Sequence, residues 1–234
     1  MNPIAIFRHA RTEGPGYFAD YLDSHKLPWR LIALDEGQPV PENANRFSGL
    51  AFMGGPMSVN DDLPFVAAEL RLIRSAITQK VPVIGHCLGG QLLSKALGGT
   101  VSVSPVKEIG WGEVNVERGA EAERWLGGID AFESFHWHGE TFTLPDGANR
   151  LLRNRWCENQ GFVLGLHIGM QCHVEMTEGL VRTWVAAGGA EIADSRSPAV
   201  QAPDEIERDL GPRVAALQAI ATRIYDRWVE GLIR

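Results

Sequence analysis

VPVIGHCLGGQLL, residues 81–93, brings two patterns together at one cysteine. The run 81–85 is continuously apolar, as in a central parallel strand covered on both faces. The stretch 88–99 reads as a helix ended by the pair Gly98-Gly99. Cys87 sits on the sharp turn between them. Gly85 and Gly89, two residues before and two after it, take positions that crowd each other in a strand–nucleophile–helix elbow. Such an elbow lifts the side chain above the sheet edge at the positive end of a helix, and the thiolate is the reactive form of cysteine. The N–H of Leu88, just after it, can point at the same reacting atom. The plainer reading of these residues is a small buried cysteine in a glycine-rich turn.

Working outward, the first half of the chain alternates strand and helix. Segments 3–8, 29–34 and 49–53 read as strands and 15–26 as a helix. A further helix opens at Pro64, with Asp61 and Asp62 as caps. Its apolar residues Val66, Leu70, Ile73 and Ile77 lie at helical spacing. This alternation predicts an α/β fold: a three-layer sandwich with helices on both faces of a mostly parallel central sheet. Segments 100–103, 111–117, 133–138 and 161–175 read as strands of an antiparallel extension. A helix follows at about 178–187, and 188–204 is the least regular stretch. A C-terminal helix at about 212–232 carries the stripe Val214, Leu217, Ile220 or Ala221, Ile224 and Trp228, and is expected to pack on the same core. Residues 1–234 read as one domain.

The chain has 234 residues, with 22 Lys+Arg against 29 Asp+Glu and a formal net charge of −7. That balance disfavours nucleic acid as a partner. No apolar run approaches the ~18 residues of a membrane span, and Arg8 and His9 interrupt the N-terminus too early for a signal-peptide core. Cys87, Cys157 and Cys172 make an odd count without a CxxC pair, which argues against a disulfide framework and for the cytoplasm.

Two further elements suit a thiolate acting on an acyl carbon. Gly54-Gly55-Pro56 ends a predicted strand at the same sheet edge, and Pro56 holds Gly55 extended so that its N–H is able to face the site. His173 and Glu175, two apart on a predicted strand, emerge on one face, where the carboxylate orients the imidazole. Cys172 is expected to point into the core and His167 to be structural. His136 and His138 are also two apart, but no Cys, Asp or Glu at suitable spacing completes a metal site. Neither a metal nor a cofactor is expected.

In order, Gly54-Gly55-Pro56, Gly85-His86-Cys87-Leu88-Gly89-Gly90-Gln91 and His173-Val174-Glu175 resemble the GGP, G-x-C-x-G-x-Q and H-x-E pattern of class I (triad-type) glutamine amidotransferases. The resemblance spans nearly the whole chain and is greatest to stand-alone proteins related to the glutaminase domain of GMP synthase. It implies a flavodoxin-like core and hydrolysis of the glutamine side-chain amide through a γ-glutamyl thioester. Cys87 would be the nucleophile, His173 general base and acid, and Glu175 its orienting carboxylate. The N–H groups of Gly55 and Leu88 would form the oxyanion hole. Gly54, Gln91 and the main chain around Trp137, Gly139 and Glu140 would hold the substrate. The family's usual proline between His and Glu is Val174 here, and its aliphatic residue before the nucleophile is His86. Nothing in the chain resembles a synthase domain, so a separate ammonia-accepting synthase is the expected partner. Two other readings stand beside this one: a γ-glutamyl peptidase acting on γ-glutamyl peptides or conjugates, and a non-catalytic binding or regulatory module.

Overall fold

The computed structural model describes residues 1–233. The chain runs β1 (Ile4–Arg8), α1 (Tyr17–Ser24), β2 (Trp29–Ala33), β3 (Leu50–Phe52), α2 (Pro64–Thr78), β4 (Val83–His86) and α3 (Leu88–Ala96). It continues with β5 (Val101–Val116), α4 (Ala120–Leu126), β6 (Ala131–Phe142), β7 (Asn149–Arg153), β8 (Gly161–Leu164) and β9 (His167–Met170). The last elements are α5 (Glu178–Ala187), α6 (Gly189–Asp194), β10 (Ala199–Val200), α7 (Pro203–Ile206) and α8 (Leu210–Val229).

One sheet holds all these strands in the order β10-β5-β7-β8-β9-β4-β3-β1-β2, with β6 paired to β5. The block β9-β4-β3-β1-β2 is parallel, and β5, β6, β7 and β8 add an antiparallel arm. The period of two along each strand divides the core between the faces. Ile4 and Ile6 of β1, Ala51 of β3 and Ile84 of β4 pack with α1, α5 and α8 on one face. Ala5, Phe7, Leu50, Phe52 and Val83 pack with α2 and α3 on the other. This is the expected mixed α/β sandwich. The stripe on α8 buries Val214, Leu217, Ala221, Ile224 and Trp228, with Ala221 rather than Ile220 fully inside.

Several details differ from the sequence expectations. No aspartate caps α2: Leu63 holds the N-cap position without a side-chain hydrogen bond, and Asp61 instead accepts the Ser58 N–H at 2.9 Å. The two strands expected at 100–103 and 111–117 are one, β5, with a register shift between Val103 and Glu108. The segment 161–175 turns back on itself as the hairpin β8–β9 and leaves the sheet before His173, which retains one bridge to Phe135. Residues 188–204 contain α6 and β10. The C-terminal helix starts earlier than expected, at Leu210, after Asp209 at φ 52°.

Candidate active site

The elbow is built as the glycine spacing requires. Cys87 has φ 49° and ψ −106°, a left-handed conformation that a non-glycine residue adopts only where its surroundings impose it. A side chain on Gly85 would come within 2.3 Å of the Gly89 carbonyl, and one on Gly89 within 2.0 Å of the Phe52 carbonyl oxygen. The Cys87 N–H is fixed on the Met170 carbonyl at 2.8 Å. Its sulfur receives the Gln171 side-chain amide at 3.4 Å and lies 3.8 Å from the Trp137 carbonyl oxygen. Gln91 in turn donates to Gln171 at 3.2 Å.

His173 and Glu175 do not sit on a regular strand as expected, but their side chains still meet. Nδ1 of His173 is 2.6 Å from Oε1 of Glu175, and both residues are buried. Nε2 of His173 has no protein partner. Trp184 packs edge-on against the imidazole with ring centroids 4.7 Å apart. Burial opposes charge on His173, yet Glu175 and Cys87 hold its pKa well above the ordinary histidine value. Burial likewise opposes charge on Glu175, but His173 and His86 lower its carboxyl to about 2. His86 points away from the cavity into the core: its Nε2 is 3.9 Å from the second oxygen of Glu175 and 3.3 Å from the Tyr225 hydroxyl. Burial chiefly pushes its pKa down. Val174 is fully buried.

The glycine turn after β3 faces this histidine, since a side chain on Gly54 would meet the Glu13 carboxylate at 2.4 Å and His173 at 3.1 Å. The Gly54 carbonyl oxygen is 3.1 Å from Nδ1 of His9, whose Nε2 is 2.9 Å from Oε1 of Glu69. His9 and Glu69 are both buried. Burial opposes charge on His9, but Glu69 raises its pKa; a carbonyl only accepts, so Nδ1 donates to Gly54. A trans peptide holds C=O and N–H in opposite directions. With the Gly54 carbonyl turned to His9, the Gly55 N–H is turned away from it. Leu88 opens α3, so its N–H is one of those a helix leaves without an internal partner.

Cys87, His173, Gln91, Gly55, Trp137, Gly139 and Glu140 line one cavity of about 570 Å³. Glu13, Asp61 and Glu191 line it too, and no Lys or Arg is among the lining residues described. Glu140 accepts the Ser58 hydroxyl at 2.9 Å. The Trp137 indole donates to Glu191 at 2.9 Å, and its ring lies where a side chain on Gly188 would stand, at 2.2 Å. Sequence reading missed Glu13, Gln171, Trp184 and the pair His9–Glu69. Of these only Gln171 carried a signal, its place two residues before His173. Cys172 is in the core, and His167 accepts the Val83 N–H at 3.2 Å.

The expectation that no carboxylate joins His136 and His138 fails. Glu108 stands directly across from His138 in the β5–β6 ladder, and the three side chains bring ligand atoms within 4.8 Å of one another. Cross-strand pairing supplies what spacing along the chain does not show.

Residues 20–186 match the family model described as "Glutamine amidotransferase class-I". The chain is 33% identical over 197 residues to the glutamine amidotransferase-like protein YfeJ of Salmonella typhimurium, covering 80% of this chain and 82% of that one. It is 29% identical over 166 residues to the glutamine-hydrolysing GMP synthase of Ectopseudomonas mendocina, but spans only 29% of that protein's length. A solved glutamine amidotransferase from Methylobacillus flagellatus superposes with a TM-score of 0.98 at 46% identity, covering 100% of this chain and 96% of that one. A second, from Thermotoga maritima, gives 0.88 at 26% identity and 98% coverage of both chains. No helix among the described residues is long and apolar enough to cross a membrane. Model, relatives and fold agree, and the chain belongs to the class I glutamine amidotransferase family.

Proposed function

We propose that this amidotransferase is a cysteine-dependent glutaminase in which Cys87, His173 and Glu175 form the triad. The observation that carries the reading is the state of His173. Its Nδ1 proton is engaged by Glu175, while its Nε2 is unpartnered in the wall of the cavity that holds Cys87.

Cys87 passes its proton to Nε2 of His173, the resulting thiolate adds to the side-chain carbonyl carbon of glutamine, and the carbonyl oxygen takes the charge. The N–H groups of Gly55 and Leu88 stabilise that oxyanion; losing one such donor typically costs about 10²–10³ in rate. The carbon–nitrogen bond breaks as the Nε2 proton of His173 passes to the leaving nitrogen, releasing ammonia and a γ-glutamyl thioester. Water then attacks the thioester and gives its proton to His173. The carbon–sulfur bond breaks and glutamate leaves. Glu175 remains ionised throughout and balances the imidazolium. Gly54 shapes the turn beside His173, and Gln91 supports Gln171 against the sulfur. The main chain of Trp137, Gly139 and Glu140 holds the amino-acid end, with Glu13 and Glu140 facing its ammonium. A separate synthase docked at the carboxyl edge of the parallel strands would receive the ammonia.

The cavity volume supports a second reading. At about 570 Å³ it accommodates ligands well beyond a single amino acid, so γ-glutamyl peptides fit the same thioester chemistry. One assay separates the readings: purified protein is incubated with glutamine and with γ-glutamyl dipeptides, and glutamate and amine release are measured. The proposal expects glutamine turnover that is lost in Cys87→Ser. Faster turnover of the dipeptides makes the chain a γ-glutamyl peptidase. No turnover of any donor, with Cys87 inert to a glutamine-like electrophile, makes it a binding module.

A further inference from the structure

We infer that Glu108, His136 and His138 form a binding site for one divalent transition-metal ion of the zinc type, separate from the cysteine site. The inference rests on which ring nitrogens are already occupied. Nδ1 of His138 is 3.0 Å from the Glu140 carbonyl oxygen, and Nε2 of His136 is 3.3 Å from that of Gly112. A carbonyl only accepts, so these two nitrogens carry the protons. The lone pairs of the neutral rings are then on Nε2 of His138 and Nδ1 of His136. Both face one carboxylate: Nε2 of His138 is 3.3 Å from Oε1 of Glu108, and Nδ1 of His136 is 4.0 Å from Oε2.

Three acceptors thus converge, and the donors nearby are committed to the carboxylate. Asn154 Nδ2 donates to Oε2 of Glu108 at 2.6 Å, its orientation set by the Trp156 and Cys157 N–H groups on its own oxygen. Gln160 Nε2 donates to Oε1 at 2.8 Å and reaches His138 only at 3.5 Å. Nδ1 of His136 has no partner, although the residue is only 2% exposed. Protonating His138 would settle its contact with Glu108 but would leave Nδ1 of His136 bare.

A cation satisfies all three atoms together. Zinc bonds of roughly 2.0–2.1 Å at tetrahedral angles place ligand atoms roughly 3.4 Å apart. The histidine nitrogens lie 3.3 and 4.0 Å from the two oxygens of Glu108, and the ligand atoms all lie within 4.8 Å of one another, so the set would contract on binding an ion. Metal-bound histidines generally donate their second N–H to a carbonyl or carboxylate, as both do here. Two imidazoles and one carboxylate suit zinc and its neighbours over calcium or magnesium, which take all-oxygen sets. Glu108 and His136 also line a second cavity of about 450 Å³, so a fourth coordination position faces open space. His138 lines the cysteine cavity beside Trp137, Gly139 and Glu140, so the ion would brace the strand that carries the proposed substrate contacts.

The test uses the full chain carrying Cys87→Ser, which removes the thiolate as a competing ligand. Chelator-stripped protein is titrated with Zn²⁺ by calorimetry and with Co²⁺ by visible absorption. Histidine side-chain ¹⁵N shifts are recorded before and after Zn²⁺. The expected result is one ion per chain, a cobalt spectrum without a thiolate charge-transfer band, and Zn²⁺-dependent shifts at Nδ1 of His136 and Nε2 of His138. His136→Gln should weaken binding by more than about 100-fold, and Asn154→Ala, which removes an outer partner, by about 10-fold. The ¹⁵N shifts need no substitution at the site, so a variant that fails to fold does not blunt the test. Stoichiometric binding that leaves both histidines unshifted, equal affinity in folded His136→Gln, or no binding above a surface background overturns the inference.

Discussion

Two histidine–carboxylate clusters lie against strand β6, one on the strand and one bridged to it at Phe135, and solve opposite problems. At the cysteine site, Glu175 accepts the Nδ1–H of His173, and the other nitrogen has no partner, free for the proton transfers proposed above. At the second cluster, backbone carbonyls take the ring protons of His136 and His138, and their lone pairs turn towards Glu108. Burial opposes charge in both places. It is overcome at His173, which sits between a carboxylate and a thiol, whereas it pushes His136 down to about 4. Residue type alone does not distinguish a proton shuttle from a ligand. The partner of the first nitrogen decides what the second can do.

The largest expected effect breaks the comparison at its reactive end. Cys87→Ser should reduce glutamate release by about 10⁴-fold or more while the far-ultraviolet circular dichroism stays native. His173→Ala should cost at least about 10²-fold, measured in the same assay. Near-normal turnover in either variant would remove the chemical distinction between the two clusters.

Next in size is a stability difference that depends on pH. The Glu175 carboxyl is lowered to about 2, so its ionised form stabilises the folded chain above the ordinary carboxylate pKa of about 4.5, and that contribution disappears as pH falls through about 2. Urea unfolding should show wild type ahead of Glu175→Gln by a few kcal/mol at pH 6, with the gap closing towards pH 2. A gap independent of pH would mean that the carboxylate is not the partner described.

A smaller effect is expected at the third histidine–carboxylate pair. Glu69→Gln keeps the shape of the His9 contact but removes the charge that holds its proton. It should lower kcat about tenfold with little change in KM, because the oxyanion donor proposed at Gly55 would act in the transition state. Steady-state kinetics with glutamine make the check, and a loss confined to KM would contradict it.

The smallest effect is a silence. A glutamine-like electrophile should modify Cys87 and leave Cys157 and Cys172 untouched in peptide mapping. Burial raises the Cys157 thiol and pushes that of Cys172 up to about 12.

What the sequence made legible was local. The Cys87 elbow is encoded within a few residues, because Gly85 and Gly89 must meet across it. The parallel block declares itself by apolar runs such as Ile4–Phe7 and Val83–Ile84. Long-range pairs left no such trace: Glu69 is 60 residues from His9, and Glu108 meets His138 only through the β5–β6 ladder. Pro105 and the shifted register beside it divided β5 into two apparent strands. Helix α4, seven residues long, is too short to show a period. Glu13 lies in a loop whose course is fixed by contacts made elsewhere, among them the Trp184 indole on the Thr12 carbonyl at 2.7 Å.

The hold of His9 on the Gly54 carbonyl has a consequence for timing. On the proposed mechanism, an amide held away from His9 and facing the nucleophile before any other protein arrives would be no gate. The donor would be consumed whether or not an acceptor stood ready, and idle hydrolysis would continue at nearly the coupled rate. Economy would then have to come from donor supply or from the amount of protein made, with the glycine turn taking no part in the decision.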